Sequence, residues 1–532
     1  MAINRYLRAG LYLLTLLAGF AFLAWFLPRA LNPTETSPEK RHEDSLWIDT
    51  SPYLLDRIAC RWLSLCGVHH LRSDPAVPLA PEESLFVQHE LRRRGHRRPS
   101  LDFADYGRIS DDDDDHQDIS SSRKSRLKRR GKTSSKRSII KHVPDYVLQH
   151  APYVHLSSDE EFWPSDLAHH LAHMNATDLH GKPLRDDDDY LDSITLDRLD
   201  ELDVDVTLHS RDDVEARPAW LYSRDGIPRG HDDDDNDDDN DDDDDGKKKN
   251  PLLPQQPIPS PHLEKTTWFD ADKDHPPHRL AYPSVRRQRL HRHLRRGHKP
   301  DVKGRSSAPA VLIVVDKGSG IVDAFWFFFY SYNLGQTVLG LRFGNHVGDW
   351  EHCMVRFQHG VPRGLYLSEH EGGQAYAWSA VEKSAADGSR PVVYSALGSH
   401  AMYALPGDHA YVLPFGLLKD VTDRGPLWDP SLNKLAYHYD YSLPDEEYRR
   451  SLVPASSNPY APTAWFHFAG RWGDAVYPLA DRRQWRLFGQ YHYVTGPSGP
   501  KFKHLDRSRL CSAERRKSCR LLYELDPKGT WY

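Results

Sequence analysis

The sequence predicts a mainly β protein: an antiparallel β-sandwich core with short helices, one N-terminal transmembrane helix and long charged disordered inserts. Three observations carry this. After Ala308, short runs rich in β-branched and aromatic residues recur about every ten residues, divided by Gly and Pro. An uncharged stretch runs from Ala9 to Leu27. Blocks of like charge interrupt the remainder, and only 39% of the 532 residues are apolar while 28% are charged, so much of the chain has too little to bury for a packed core.

From the N-terminus, Arg5 and Arg8 precede the apolar stretch and Pro28-Arg29 closes it. As a helix it would cover about 28 Å, close to the hydrocarbon thickness of a bilayer. It is longer than the apolar part of a cleaved signal peptide, and Phe26-Leu27-Pro28 is a poor cleavage site. Residues 1–31 therefore read as a cytosolic tail and signal anchor. Acidic Glu35, Glu39, Glu43 and Asp44 follow it, which places the bulk of the chain in the lumen as a single-pass type II protein of the secretory pathway or vacuole. The alternative is secretion after signal cleavage. Cys60 with Cys66 and Cys511 with Cys519 fit two local disulfides, and Cys353 fits one buried thiol. Asn175-Ala176-Thr177 is an acceptable glycosylation sequon.

Residues 32–138 form a linker with charged low-complexity segments, including Asp111 to Asp115 and the basic run Arg123 to Arg137. Residues 231–307 hold twelve aspartates between His231 and Lys249, then an Arg/His-rich block from Arg286 to Lys299. Like charges repel and bury nothing, so these read as solvated inserts. The basic runs lack interleaved aromatics and would lie across the membrane from nucleic acid, so no nucleic-acid partner is expected. Between the inserts, residues 139–230 form an N-terminal α/β part, with a helix beginning at Pro164 and carrying His169, His170 and His173. The i, i+4 spacing of His169 and His173 suits a metal pair, but no HExxH order accompanies it and they read as surface histidines. Residues 308–532 form the sandwich core and a C-terminal extension, to which Trp465 to Leu487 should add a terminal strand and loop.

The segment from Gly344 to His352, Gly-Asn-His-Val-Gly-Asp-Trp-Glu-His, gathers two imidazoles and two carboxylates. In a strand Asp349, Glu351 and Cys353 face one way, and Trp350, His352 and Met354 the other. Gly344 and Gly348 permit a bend that would bring His346 to the carboxylate pair. His346, Asp349 and Glu351 are thus the expected metal ligands, and their oxygen-rich set suits Mg²⁺, Ca²⁺ or Mn²⁺. His352, Glu369, His370, Glu371 and His400 form the expected supporting polar cluster. The structural alternative is a hydrogen-bonded buried network without an ion.

His346 to His352, Ser368-Glu369-His370-Glu371-Gly372-Gly373, Arg390 to Tyr394, Gly398-Ser399-His400-Ala401 and Trp428-Asp429-Pro430 resemble successive motifs of the fungal vacuolar protein sorting-associated protein 62 family. Trp163-Pro164-Ser165-Asp166, Gly470 to Asp474 and Gly496 to Lys501 fit the same pattern, so the resemblance covers about Ile139 to Cys511. It implies a role in delivering proteins to the vacuole. His346-x-x-Asp349-x-Glu351 also resembles, more distantly, a segment of necrosis- and ethylene-inducing-peptide-like proteins. That likeness implies a β-sandwich with a divalent cation and membrane-lipid binding, although an upstream aspartate of those proteins has Gln336 as its approximate counterpart here.

Two functions follow. The first is a membrane-anchored, non-enzymatic sorting protein that binds lipid head groups or cargo with a divalent ion in support. The second is a metal-dependent hydrolase with Glu351 or Glu371 as base. No GxSxG, Walker-type GxxxxGK or HExxH motif is present.

Overall fold

Alternating apolar side chains along two 13-residue strands build a sheet with two buried faces. The computed structural model describes residues 2–31, 37–72, 142–178, 183–184, 194–202, 204–223, 298–370, 372–410, 418–511 and 520–525. The acidic and basic runs up to residue 297 lie outside them, while residues 37–72 of the expected linker and 298–307 of the second expected insert are described. In chain order the strands that form the core are β1 (Tyr153–His155), β2 (Ala310–Gly318), β3 (Ile321–Asn333), β4 (His346–Gln358), β5 (Val361–Glu369), β6 (Gly372–Ala377), β7 (Val392–Ser395), β8 (Met402–Tyr403), β9 (Leu427–Trp428), β10 (Lys434–Tyr439), β11 (Leu452–Pro454) and β12 (Leu521–Leu522).

The main sheet has the order β11-β10-β2-β3-β4-β5-β6-β12, and a second sheet the order β8-β7-β1-β9. The series β2 to β6 is antiparallel throughout; two-residue connections join β2 to β3, β4 to β5 and β5 to β6, and so tight a connection allows only that pairing. Three pairs are parallel: β2 with β10, β6 with β12, and β1 with β7. A strand returning after a long excursion is free of the hairpin constraint, and the expected all-antiparallel sheet is mixed for that reason.

One face of the main sheet presents Trp326, Phe328, Tyr330 and Cys353 to Val154, Val393, Met402 and Trp428 of the second sheet. This is the sandwich. The other face, with Phe325, Phe327, Phe329, Trp350 and Met354, packs against Trp465, Phe466, Phe468 and Trp472. Residues Ala464–His467 are a 3-10 helix, and the strand at Arg486–Leu487 pairs with Leu65–Cys66. The Trp465 to Leu487 stretch therefore covers the second face with aromatic side chains instead of extending the sandwich.

The third layer sits close to β4. A Cβ on Gly473 would stand 1.7 Å from the Val347 carbonyl oxygen, and one on Gly348, at φ +70°, 2.3 Å from the Trp472 carbonyl oxygen. Gly473→Ala is expected to cost at least about 1–3 kcal/mol through backbone displacement, measured as a shift in urea midpoint without a change in slope.

At the N-terminal side, α1 (Ala2–Leu31), α2 (Pro38–Asp49) and α3 (Leu54–Leu63) precede the core. Among the described residues, no helix is long and apolar enough to cross a membrane; the side chains of α1 are described at residues 10–23 and 26. Trp47 and Ile48 of α2 share a small core with Cys60, Cys66, Val476 and Leu479. Cys60 and Cys66 are disulfide-bonded, as is Cys511, and Cys353 is a buried free thiol. Cys519 lies outside the described residues.

Candidate functional site

Asp349 and Glu351 stand on the face of β4 that looks toward the second sheet, opposite Tyr330 and Phe328 of β3. Alternation along the strand places them there. The turn between β7 and β8 brings in His400, a non-glycine residue held at φ +56°. Its ring stacks on Tyr330 at 3.6 Å, with the planes 4° apart. Nδ1 lies 2.9 Å from Asp349 Oδ2, and Nε2 lies 3.1 Å from the Phe162 carbonyl and 3.7 Å from Glu160 Oε1. Both ring nitrogens face acceptors, which fits an imidazolium donating from each. Burial alone would lower its pKa, but the carboxylates of Glu160 and Asp349 override that and push it up to about 10. Glu160 is held in turn by the backbone N–H groups of Glu161, Phe162 and Gly398.

A second acid–imidazole pair lies beside the first. His370 Nε2 is 2.6 Å from Asp420 Oδ2, and Asp420 also accepts from Ser399 Oγ at 2.7 Å, Tyr403 OH at 2.8 Å and Gln336 Nε2 at 3.2 Å. Burial opposes protonation of His370, yet Asp420 pushes it up to about 9. Asp420 is itself lowered: burial raises it, but His370 and the hydroxyl donors prevail.

Beside these pairs lie two acids that, among the described residues, make no ion pair. Ser368 Oγ donates to Glu351 Oε2. Burial, and then the charge of Asp349, push Glu351 up to about 8. Glu369, on the adjacent strand, is raised well above the carboxylate range by burial, Asp420 and Glu351, and its Oε1 is buried without a hydrogen-bond partner.

Among the described residues, no group of three His, Cys, Asp or Glu side chains is arranged to hold a metal ion. His346 turns its Nδ1 to the Gly348 carbonyl at 2.6 Å, and burial lowers its pKa. The positive charge beside Asp349 comes from His400. His352, expected in the cluster, lies on the opposite face of β4: its ring packs 5.0 Å from Phe327, and burial followed by the charge of Arg507 keeps it neutral. Glu371 lies outside the described residues. Asn175 accepts from Arg211 Nε at 2.9 Å.

The three histidines read as surface residues are not all on the surface. Asp166 caps the five-residue helix Leu167–Leu171, and both His169 and His170 are buried. His170 bridges Ser331 Oγ at 3.3 Å and the Trp472 carbonyl at 3.0 Å, and burial lowers it to about 3. His173 stacks on Trp220 at 4.7 Å, and burial lowers it to about 4.

Sequence reasoning missed Glu160 and Asp420, which enter the site from distant loops with no local spacing to mark them. The other motifs are structural joints. Arg390 makes a two-pronged ion pair with Asp429, at 2.8 and 2.5 Å, while its guanidinium lies 3.6 Å over the Tyr153 ring, which clamps β1, β7 and β9 together. Asp474 accepts from the Ser210 N–H and from Tyr477 OH.

The sequence profile described as vacuolar protein sorting-associated protein 62 matches residues 317–477. The Saccharomyces cerevisiae protein TDA6 is 36% identical over 390 residues, covering 69% of this chain and 68% of that protein. The chain belongs to the vacuolar protein sorting-associated protein 62 family. Vacuolar protein sorting-associated protein 62 of S. cerevisiae is 33% identical over 386 residues, again 69% of this chain and 68% of that one. Two solved structures share limited likeness. Necrosis and ethylene inducing protein 2, from the causal agent of cocoa's witches' broom disease, has a TM-score of 0.15 and 16% identity, over 20% of this chain and 58% of that chain. The non-toxic HaNLP3 protein has a TM-score of 0.16 and 14% identity, over 29% and 69%. Likenesses of that size carry no weight for fold or function. Vacuolar protein sorting is what the family and both yeast relatives are named for, which supports a sorting role and a vacuole-related place.

Proposed function

We propose that this family member is a non-enzymatic binding protein of vacuolar sorting, anchored through α1 in type II orientation, with lipid head groups or cargo as partners. Family membership supports the sorting role. The uncharged Ala9 to Leu27 stretch within the 30-residue α1 supports the anchor.

The observation that favours binding over hydrolysis is the wiring of Asp420. Ser399 and His370 both donate to this one carboxylate, whereas a nucleophilic serine needs the imidazole as its base. Glu351, one of the two bases expected of a hydrolase, is pushed up to about 8 and is therefore mostly protonated at neutral pH.

Cells lacking the chain are expected to secrete a vacuolar hydrolase that wild-type cells retain. Re-expression of wild type or Glu351→Gln restores retention, because glutamine mimics the protonated acid, while a chain starting after residue 31 does not. Loss of rescue by a normally melting Glu351→Gln protein would favour the hydrolase.

A further inference from the structure

We propose that α3 is a second membrane contact, an interfacial helix that lies in the head-group region of a lipid bilayer beside α1. The inference rests on the anchored reading above. Its evidence is the inverted polarity of α3. Leu54, Leu55, Ile58 and Trp62 share one flank and are 63%, 79%, 44% and 66% exposed. The flank against the protein instead carries Asp56 and Cys60, both buried. Asp56 Oδ1 accepts from the Gly67 N–H at 2.7 Å, and Cys60 is bridged to Cys66. A surface helix ordinarily turns its apolar stripe inward; this one turns Asp56 and the bridged Cys60 inward and its apolar stripe out.

The orientation is fixed from behind. Trp47 Nε1 of α2 donates to the Tyr477 carbonyl at 3.0 Å, and Arg486 pairs with Asp44, so α2 and the bridged α3 are tied to the C-terminal part of the core.

A lipid surface is favoured as occupant because α3 adjoins a second helix that exposes apolar side chains. α1 touches α3, and the described part of α1 exposes Leu16 and Phe20 at 73% each. An outward tryptophan, with Arg57 and Arg61 on the same short helix, fits the boundary where aromatic rings meet head groups.

The test uses the full-length protein in phosphatidylcholine vesicles, with Trp62→p-benzoylphenylalanine or, as a control, Tyr460→p-benzoylphenylalanine, a position 76% exposed elsewhere. Resistance to an alkaline carbonate wash reports α1, and light-induced lipid adducts report α3. The expected result is a wash-resistant protein with lipid adducts at position 62 and none at position 460. A wash-resistant protein whose position 62 forms adducts only with a second copy, or none, would overturn the α3 assignment and leave the anchor standing. A protein that washes off would overturn the anchor and this inference with it.

Discussion

His400→Ala is expected to be the most damaging single change in the core, lowering stability by about 3–5 kcal/mol, the range for removing one partner of a buried ion pair. Asp349 and Glu160 would both lose their cation while remaining buried, and the 3.6 Å stack on Tyr330 would go with it. Urea unfolding followed by circular dichroism measures the loss. Because the damage comes from stranded charge, Asp349→Asn combined with His400→Ala should cost clearly less than the sum of the two single variants. Additive costs would show that packing, not charge, is what His400 supplies.

Stability should peak near pH 6.5 and fall on both sides. On the alkaline side, His370 and His400 have folded pKa values of about 9 and about 10, above the usual imidazole value near 6.5. Their contribution is complete below about pH 6.5 and disappears as pH rises through the folded values. Glu351, raised to about 8, acts in the same direction: its protonated form suits the folded core, so stability declines from its unfolded value near 4.5 up to about 8. On the acid side, His170 and His173 are held neutral by burial, at about 3 and about 4, and His169 lies well below its ordinary value. These must take up protons on unfolding, so they withdraw stability as pH falls from about 6.5 towards their folded values. Melting temperature against pH is the measurement. Glu351→Gln should flatten the alkaline limb between about pH 6.5 and 8 and steepen the acid limb between about pH 4.5 and 6.5, where Glu351 opposes the histidines. A profile rising monotonically to pH 10 would contradict the imidazolium assignment of His370 and His400.

Much of the main sheet was legible because its signals are local. Period-two alternation sorts Asp349 and Glu351 from Trp350 and His352, and short apolar runs mark β2 to β6. What could not be read was distance in the chain. The parallel partners of β2 and β6 follow from no turn signal. Glu160 and Asp420 are isolated acids until folding carries them to His400 and His370. The charge that faces Asp349 was hidden for the same reason: His400 arrives from 51 positions away. His170 looked like a surface residue because the aromatic layer that covers it comes from Trp472 and its neighbours, and His169 because His298, one of its ring neighbours, is 129 positions away.

The position of β1 in the second sheet has a consequence for synthesis. Tyr153 to His155 pairs with residues 392–394 and 427–428, so the earlier segment must emerge and wait. Until the later strands appear, Val154, Leu156 and Trp163 have no core to enter. Such non-local pairing slows folding and leaves apolar surface exposed to aggregation in the meantime. A nascent chain of this architecture therefore keeps those side chains uncovered by the second sheet until residues 392–428 have been made.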